Sequence, residues 1–410
     1  MAEAVKKRGE RLRSQVNNIN LFYLIFILWN VVENLAITTF DNILGIKVST
    51  INAINAFLIL ALLMLQIVFC QRYTLRQIVI ILSITVPVVV STLFSDINYI
   101  LSAWMFIVAS QNSDINKIVR IAYKILLCIM PIVLLSCVCG IIPDYTIYRG
   151  EVLRHSLGYI HPNVLGMKVF QAVIYHVFLH NGKENRFTNL IVVFIAIIFV
   201  YYVPNSQTPV VLLGGLLFLL SIYYLTKKYT LFMSIFGWVM IAAALIFNVG
   251  SVIFSIIGTD SHRILQILNR LMSTRLSQSH RVFLIYGSSL WGQKVYITEA
   301  ERSSAGLSGF FYLDNTYMIL LIKFGIVIYI IFSVVYLAMM IKLFKEKRYI
   351  MLIIYFVYSL YGIMEPSMYR FSYNTMLLLL GELLYKKNIN DIGEKIGRKL
   401  RRYRIVYRKH

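Results

Sequence analysis

Two polar segments between long apolar runs carry side chains that bind phosphate and move protons. The first, DYTIYRGEVLRHSLGYIHPNVLG, supplies Arg149, Arg154, His155 and His161. Guanidinium groups bind phosphate oxygens bidentately and keep their charge beside lipid, and imidazole exchanges a proton near neutral pH. This segment therefore has the residue types needed to hold a phosphate ester.

The same segment also has a plain structural interpretation. Pro162 and Asn163 fit the first turn of a helix, and His161 then stands just before it as a polar residue. His155 fits a solvent-facing position. Both interpretations of His161 stay open from spacing alone.

The second polar segment adds arginines, an aromatic-glycine turn and an acid. SHRVFLIYGSSLWGQKVY carries Arg281 and then Trp291-Gly292, and GFFYLDNTYMILLIKFGI carries Asp314-Asn315 just before an apolar run. Asp and Asn are also favoured helix caps, so this pair has a structural explanation as well. A last short bend, EPSMYRFSYN, brings together Glu365, Tyr369, Arg370 and Asn374.

Several other chemistries are disfavoured by the residue pattern. No Asp, Glu, His or Cys set has metal-ligand spacing, and the sequence has neither a glycine-rich phosphate loop nor a serine nucleophile elbow. The four cysteines lie in or beside apolar runs and suggest no disulfide framework. Among ionisable residues inside apolar runs, Glu33 is a candidate functional group.

The elements that must position these residues are membrane helices. Of the 410 residues, 59% are hydrophobic and only 14% are charged, so lipid is the main solvent for the chain. The sequence predicts about 12 transmembrane helices, the fourth being short for a full crossing. They lie near 20–38, 53–70, 76–95, 98–110, 119–142, 163–180, 189–203, 210–226, 229–250, 315–341, 349–364 and 370–385.

The basic residues predict the orientation of these spans. With both termini cytoplasmic, the inner segments hold most of the 40 lysines and arginines, and the short outer loops hold only Lys47 and Arg370. The basic tail, 386–410, is then expected to lie against anionic lipid headgroups, and no nucleic-acid partner is expected. The predicted location is the plasma (inner) membrane, with the site facing outside.

Two outer segments are long, 143–162 and 251–314. Within the second, SHRILQILNRLMSTRLSQ (261–278) places its apolar residues on one helical arc, which predicts an amphipathic helix at the membrane interface. Four arginines follow one another there, and an outer loop gains nothing topologically from them. These are Arg263, Arg270, Arg275 and Arg281. The expected ligand is a phosphate ester with a lipid tail, together with a carbohydrate that the Tyr, Trp and Asn side chains would contact.

At this point the motifs resemble a known family. Their order and spacing are similar to those of the Wzy-type polysaccharide polymerases, which handle O-antigen, capsule or exopolysaccharide and are relatives of the O-antigen ligases. The motifs that carry the resemblance are, in chain order, Arg154, G-x-x-HPN-x-x-G (158–166), Arg281, Trp291-Gly292, Asp314-Asn315-x-Tyr317 and Gly325-Ile326. The resemblance covers the topology of the whole chain and local motifs near 150–165 and 280–326. It implies an all-α polytopic membrane protein with a GT-C-like arrangement.

The resemblance also implies an activity. Such enzymes transfer a growing glycan from polyprenyl (undecaprenyl) diphosphate onto the next lipid-linked repeat unit, without a nucleotide sugar, a metal or another cofactor. The expected partners are undecaprenyl-diphosphate-linked oligosaccharide repeat units and membrane lipid, with a flippase and a chain-length regulator as possible protein partners.

The resemblance assigns roles to individual residues. The charge of the diphosphate leaving group would be stabilised first by Arg154 and Arg281, and then by Arg149, Arg270 and Arg370. Asp314 stands where the related ligases have a histidine and is the first candidate for the base, with His161 the second. The remaining residues expected to contact substrate are Asn163, Asn315, Tyr317 and Glu365.

Three other readings compete with a polymerase. An O-antigen-type or teichoic-type ligase would use the same donor and a different acceptor. A lipid-linked oligosaccharide flippase or other transporter would need charge in a central cavity and often two similar halves. A non-enzymatic membrane scaffold would leave the outer arginines without a role.

Overall fold

The computed structural model describes residues 21–43, 46–258, 263–297, 299–307, 309 and 311–385. Helices dominate these ranges, as the long apolar runs predict. In chain order they are α1 (Leu21–Leu35), α2 (Val48–Leu65), α3 (Leu75–Ser95), α4 (Tyr99–Ala109), α5 (Ile115–Val138), α6 (Pro162–Leu179), α7 (Arg186–Tyr202), α8 (Gln207–Thr226), α9 (Thr230–Ile257), α10 (Arg263–Leu271), α11 (Arg275–Tyr286), α12 (Glu299–Ser304), α13 (Thr316–Ile322), α14 (Ile326–Lys345), α15 (Tyr349–Met364) and α16 (Gly381–Leu384).

Smaller elements complete the described chain. A π turn, Gln66–Cys70, prolongs α2, and 3-10 turns occupy Lys183–Asn185 and Thr375–Leu380. Two antiparallel hairpins are formed by β1 (Asn42–Ile43) with β2 (Ile46–Lys47), and by β3 (Thr146–Arg149) with β4 (Val152–His155). The sequence did not predict these strands.

Among the described residues, six helices are long and apolar enough to cross a membrane: α2 with its π turn, α3, α5, α8, α9 and α14. Large apolar side chains point away from the protein core on these and neighbouring helices, for example Phe57, Leu75 and Phe187, each about four-fifths exposed. A soluble protein does not expose so many such groups together. The chain therefore fits an all-α membrane protein.

The other predicted spans hold helices that are shorter or more deeply buried. They are α1, α4, α6, α7, α15 and the stretch Thr375–Leu384. With 11 residues, α4 is about 16 Å long, roughly half of a bilayer core, as its short apolar run suggested. The last predicted span differs more, because 370–374 form a turn and Thr375–Leu380 is a 3-10 helix.

The predicted span at 315–341 is broken in the structure. α13 ends at Ile322 and α14 begins at Ile326, with Gly325 between them at φ +92°, a conformation that L-residues other than glycine rarely adopt. The backbone groups freed by the break are paired by the 289–293 segment: Ile326 N–H donates to the Ser289 carbonyl at 2.9 Å, and Gln293 N–H donates to the Lys323 carbonyl at 2.9 Å. Such pairing makes an interrupted helix tolerable inside a membrane.

The second long polar segment also differs from its prediction. α9 continues to Ile257, so residues 251–257 are helical rather than loop. The amphipathic helix expected over 261–278 is α10, which ends at Leu271, because Ser273 and Thr274 adopt left-handed φ angles of 52° and 66°. A separate helix, α11, then starts at Arg275. The basic tail, 386–410, lies outside the described residues.

The centre of the bundle is α15, most of whose side chains are buried between α8, α9, α6 and α14. It ends at Met364, and Glu365 follows at the same end of the bundle as the starts of α6, α8, α11 and α13. We call this end the loop end. The 143–162 segment, with the β3–β4 hairpin, lies there too.

Candidate active site

The β3–β4 hairpin places two arginines on one face. Ile147 pairs with Arg154 across the hairpin, and residues directly opposite or two apart on a strand share a face, so Arg149 and Arg154 point the same way. His155 is on the opposite face, where its Nδ1 lies 2.6 Å from a carboxylate oxygen of Asp144. The alternation of the strand therefore separates His155 from Arg154.

Arg154 is buried, with only 3% of its surface exposed. Its Nε donates to the Pro204 carbonyl at 3.0 Å, and its Nη2 donates to Asn163 Oδ1. Asn163 Oδ1 also accepts from the Ser206 hydroxyl at 2.9 Å. These bonds tie the hairpin to the first turn of α6 and to the loop before α8.

The close approach of α6 and α8 depends on a glycine of the HPN segment. A Cβ atom at Gly166 would lie 2.9 Å from side-chain carbons of both Ser206 and Pro209. The absence of a side chain there lets Asn163, one turn earlier, reach Ser206. The last glycine of G-x-x-HPN-x-x-G thus has a packing role.

His161 caps α6. Its Nδ1 accepts the backbone N–H of Asn163 at 3.0 Å. A neutral imidazole with an accepting Nδ1 carries its proton on Nε2, which makes that atom a hydrogen-bond donor. Burial, with the charges of Arg154 and Arg149, lowers the pKa of His161, so the neutral form is favoured. His161 is therefore suited to donate a hydrogen bond rather than to accept a proton.

Arg275, the first residue of α11, meets the end of α15. Its Nη2 lies 3.8 Å from Glu365 Oε1 and donates to the Thr208 hydroxyl at 3.1 Å. Both side chains of the ion pair are nearly enclosed, 13% and 12% exposed. Arg149 is within electrostatic reach of Arg275, and Asp314 is within reach of both Arg275 and Glu365.

Five side chains from two polar segments and one bend therefore form one group, the arginine–acid cluster: Arg149, Arg154, Arg275, Asp314 and Glu365. Some polar atoms of the cluster have no hydrogen-bond partner in the part of the chain that the structure describes. Within the described residues, Nε of Arg275 and Oε1 of Glu365 are buried without a hydrogen-bond partner. Unpaired buried groups of this kind are costly and often mark functional sites.

The acids of the cluster are shifted toward their neutral forms. Burial, reinforced by the charge of Asp314, raises the pKa of Glu365 to about 7, and Arg275 opposes this shift. Burial also raises the pKa of Asp314, again opposed by Arg275. Two carboxyl groups that interact in this way are coupled in their titration, and the charge on one raises the pKa of the other. Such a pair can accept a proton at physiological pH.

The arginines remain cationic. Burial and the nearby charge of Arg149 lower the pKa of Arg154 to about 10, which still leaves the guanidinium protonated at neutral pH. Burial and the charge of Arg275 lower the pKa of Arg149. Three like charges brought together in this way favour an anionic ligand.

The other residues predicted for the site are not members of the cluster. Arg281 is exposed on α11, about 120° around the helix from Arg275, and Arg270 is exposed on α10. Asn315 is buried and caps α13, its Oδ1 accepting the backbone N–H of Tyr317 at 3.0 Å. Tyr317 is buried in the core and donates to the Ser359 carbonyl at 3.0 Å.

Arg370 belongs to a second polar group on the same bend as Glu365. Its guanidinium carbon lies 4.1 Å from the centre of the Tyr99 ring, on α4. Among the described residues it does not pair with the carboxylate of Glu365, and it interacts electrostatically with Glu33.

Arg275 and Thr208 are the members of the site that sequence reasoning did not single out. Arg275 was only one of four arginines in its segment, and no motif distinguished it from Arg281. The distinguishing signal is the helical phase, because Arg275 shares a face of α11 with Ser279 and Val282, which are both fully buried. No sequence motif marks Thr208 as a member of the site.

Comparison with family models, curated proteins and solved structures finds no match to this chain. The class that the structure supports is an α-helical membrane protein with a polar, cationic cluster at one end of its helices. The resemblance to polysaccharide polymerases accordingly rests on the motif residues quoted above. Within the described residues, no group of three or more His, Cys, Asp and Glu side chains is arranged to hold a metal ion.

Proposed function

We propose that this chain is a bacterial polysaccharide polymerase. It transfers a growing glycan from polyprenyl diphosphate onto the next lipid-linked repeat unit, at the outer face of the plasma membrane. About twelve spans and cytoplasmic termini belong to the same proposal. The observation that carries it is the arginine–acid cluster, which joins three guanidinium groups and two acids at the loop end.

The two halves of the cluster match the two needs of the reaction. The bond that breaks joins the anomeric carbon to the diphosphate, and the leaving group takes the electron pair. In this proposal Arg149, Arg154 and Arg275 supply the positive charge that stabilises its oxygens as negative charge develops. His161 Nε2–H supplies a further, uncharged donor.

The bond that forms joins the same carbon to a hydroxyl oxygen of the acceptor sugar. That hydroxyl must lose its proton, which the Asp314–Glu365 pair accepts. Asp314 thus remains the first candidate base suggested by the resemblance, now coupled to Glu365. The pKa of Glu365, about 7, is matched to this task.

Packing of the resemblance motifs gives further support. Trp291-Gly292 and Gly325-Ile326 lie 33 positions apart, yet their backbones touch at the break between α13 and α14. This contact fixes α13, and its cap Asn315 directly follows Asp314. The motifs of the second polar segment therefore flank α13, the helix that begins just after Asp314.

The decisive experiment is polymerisation by the purified full chain in lipid nanodiscs. The substrate is the undecaprenyl-diphosphate-linked repeat unit of the producing strain, and the product is resolved by gel electrophoresis. A ladder of increasing chain length supports the proposal. Transport of the repeat unit across liposomes without a ladder would favour a flippase, and a single transfer to another acceptor would favour a ligase.

A further inference from the structure

A second polar group lies beside the arginine–acid cluster and has no role in the chemistry above. Glu33, in the last turn of α1, interacts with Lys168 of α6, with Ser372 and with Arg370. The sequence placed Glu33 nearer the middle of its span. Because α1 ends at Leu35, Glu33 is within one turn of the loop end, and the residue is partly exposed.

Lys168 supports this group rather than binding a ligand itself. Its side chain is almost completely buried, and Nζ donates to Gln171 Oε1 at 3.0 Å and to the Ser372 carbonyl at 3.2 Å. The ammonium also lies 5.0 Å from the centre of the Tyr373 ring. These contacts hold the lysine in place and leave Glu33 next to a fixed positive charge.

Arg370 and Asn374 provide unused polar atoms in the same bend. Within the described residues, Nε of Arg370 and Oδ1 of Asn374 are buried without a hydrogen-bond partner. Asn374 is 1% exposed, and its amide nitrogen already donates to the Met368 carbonyl at 3.0 Å. The Arg370 guanidinium lies over the Tyr99 ring, and Tyr99 is 38% exposed, so the group reaches the surface at this residue.

The chemistry of this second group differs from that of the arginine–acid cluster. The cluster presents three guanidinium groups, two acids and a neutral donor, so cations outnumber acids and suit an anion. Here the guanidinium of Arg370 interacts electrostatically with the carboxylate of Glu33, and the same bend carries a further acceptor, the amide oxygen of Asn374. Sugar hydroxyls donate and accept at once, and sugar rings pack on exposed tyrosine faces such as that of Tyr99. The second group therefore suits a carbohydrate rather than a phosphate.

We infer that Glu33, Arg370, Asn374 and Tyr99 form a binding site for a sugar of the acceptor repeat unit. This inference rests on the proposed function, since only a transfer between two glycans needs a second carbohydrate site. Glu365 and Arg370 lie on one bend, five residues apart. The bend thus sets the acceptor beside the Asp314–Glu365 pair that takes its proton.

The test is equilibrium binding of the free repeat-unit oligosaccharide, released from its lipid by mild acid, to the full chain in nanodiscs. The oligosaccharide lacks the diphosphate, so the arginine–acid cluster does not contribute its main contact. We expect Glu33→Gln and Arg370→Gln each to raise Kd about tenfold or more. Arg154→Gln should leave Kd within about twofold, and Arg76→Gln, an exposed arginine on α3, is the matched charge control.

Thermal unfolding of each variant shows whether it is folded, and Glu33→Asp serves as the milder substitution if Glu33→Gln is not. Absence of binding by the unmodified chain would overturn the inference. So would unchanged binding in both variants, or an equal loss in Arg154→Gln.

Polymerisation assays separate this inference from the proposed function. If the unmodified chain binds the oligosaccharide and the two variants do not, yet no ladder forms, the sugar site stands and the polymerase proposal fails. If ladders form but the KM for the acceptor is unchanged in both variants, the polymerase stands and the acceptor site is refuted.

Discussion

Gly292 and Gly325 are packed backbone to backbone. A Cβ atom on Gly325 would lie 2.4 Å from the backbone nitrogen of Gly292, and a Cβ atom on Gly292 would lie 2.7 Å from the Lys323 carbonyl oxygen. Neither contact can be relieved by rotating a side chain, because the atoms are backbone. The contact joins the aromatic-glycine turn to the break between α13 and α14.

Gly325→Ala should therefore destabilise the chain. The substitution adds a clash with backbone to a φ of +92°, which together should cost several kcal/mol. Thermal unfolding in detergent measures the loss. Gly214→Ala on α8 is the matched control, because its Cβ would meet no atom within 4 Å, and it should leave stability unchanged or slightly higher. Equal unfolding temperatures for the two variants would contradict the packing described here.

The break itself shows what sequence patterns capture and what they miss. The apolar run at 315–341 predicted one span, since hydropathy does not register a three-residue interruption that neighbouring backbone satisfies. The glycine was visible in the sequence, but its partner lies 33 residues earlier. Elsewhere the apolar runs located helices, as for α3, which covers Leu75–Ser95 where the sequence predicts a span at 76–95.

The sequence suggests some residues of the candidate site but cannot show which arginine faces the others. Arg149, Arg154, His161, Asp314 and Glu365 were all candidates from their residue type and segment, and the structure brings them together at the loop end. The sequence does not single out Arg275 over Arg281, because the choice depends on which face of α11 packs inward. That face is set by tertiary contacts, which a single short helix does not reveal.

Arg275→Ala should therefore reduce polymerisation more than Arg281→Ala. Arg275 is paired with Glu365 inside the cluster, whereas Arg281 is exposed on another face of α11. We expect a loss of at least about 100-fold in kcat/KM for Arg275→Ala, as for loss of a charge-stabilising donor. Arg281→Ala should lose less than about threefold. The reverse order would restore the assignment that the resemblance suggested.

The rate of polymerisation should rise with pH through about 7. The proton-accepting pair is active when ionised, and burial raises the pKa of Glu365 to about 7, so activity is low below that value and reaches a plateau above it. Initial rates from pH 5 to 9 measure this limb. Asp314→Asn removes the like charge and should move any remaining activity to lower pH. Arg275→Lys, which weakens the opposing cation, should move it to higher pH, and a pH-independent rate would count against the pair.

Glu382 should contribute more to stability than its neighbour Glu346. Its carboxylate accepts from Lys342 at 2.6 Å and from Arg348 at 2.7 Å, and only 5% of the side chain is exposed. Glu382→Gln should lower the free energy of unfolding by about 1–3 kcal/mol, because two cations lose their enclosed partner. Glu346, at 31% exposure, touches the same two cations, and Glu346→Gln should cost under about 1 kcal/mol. Chemical or thermal unfolding in detergent distinguishes them.

Two substitutions of His161 separate its role as a helix cap from a role in the reaction. His161→Asn keeps a good helix cap for α6 but lacks the Nε2–H donor, whereas His161→Ala loses both. We expect the Asn variant to unfold at nearly the temperature of the unmodified chain and the Ala variant to be about 1 kcal/mol less stable. If Nε2–H contacts the diphosphate, both variants should lose about tenfold or more in kcat/KM. An Asn variant with full activity would leave His161 with the structural role alone, as the start of α6.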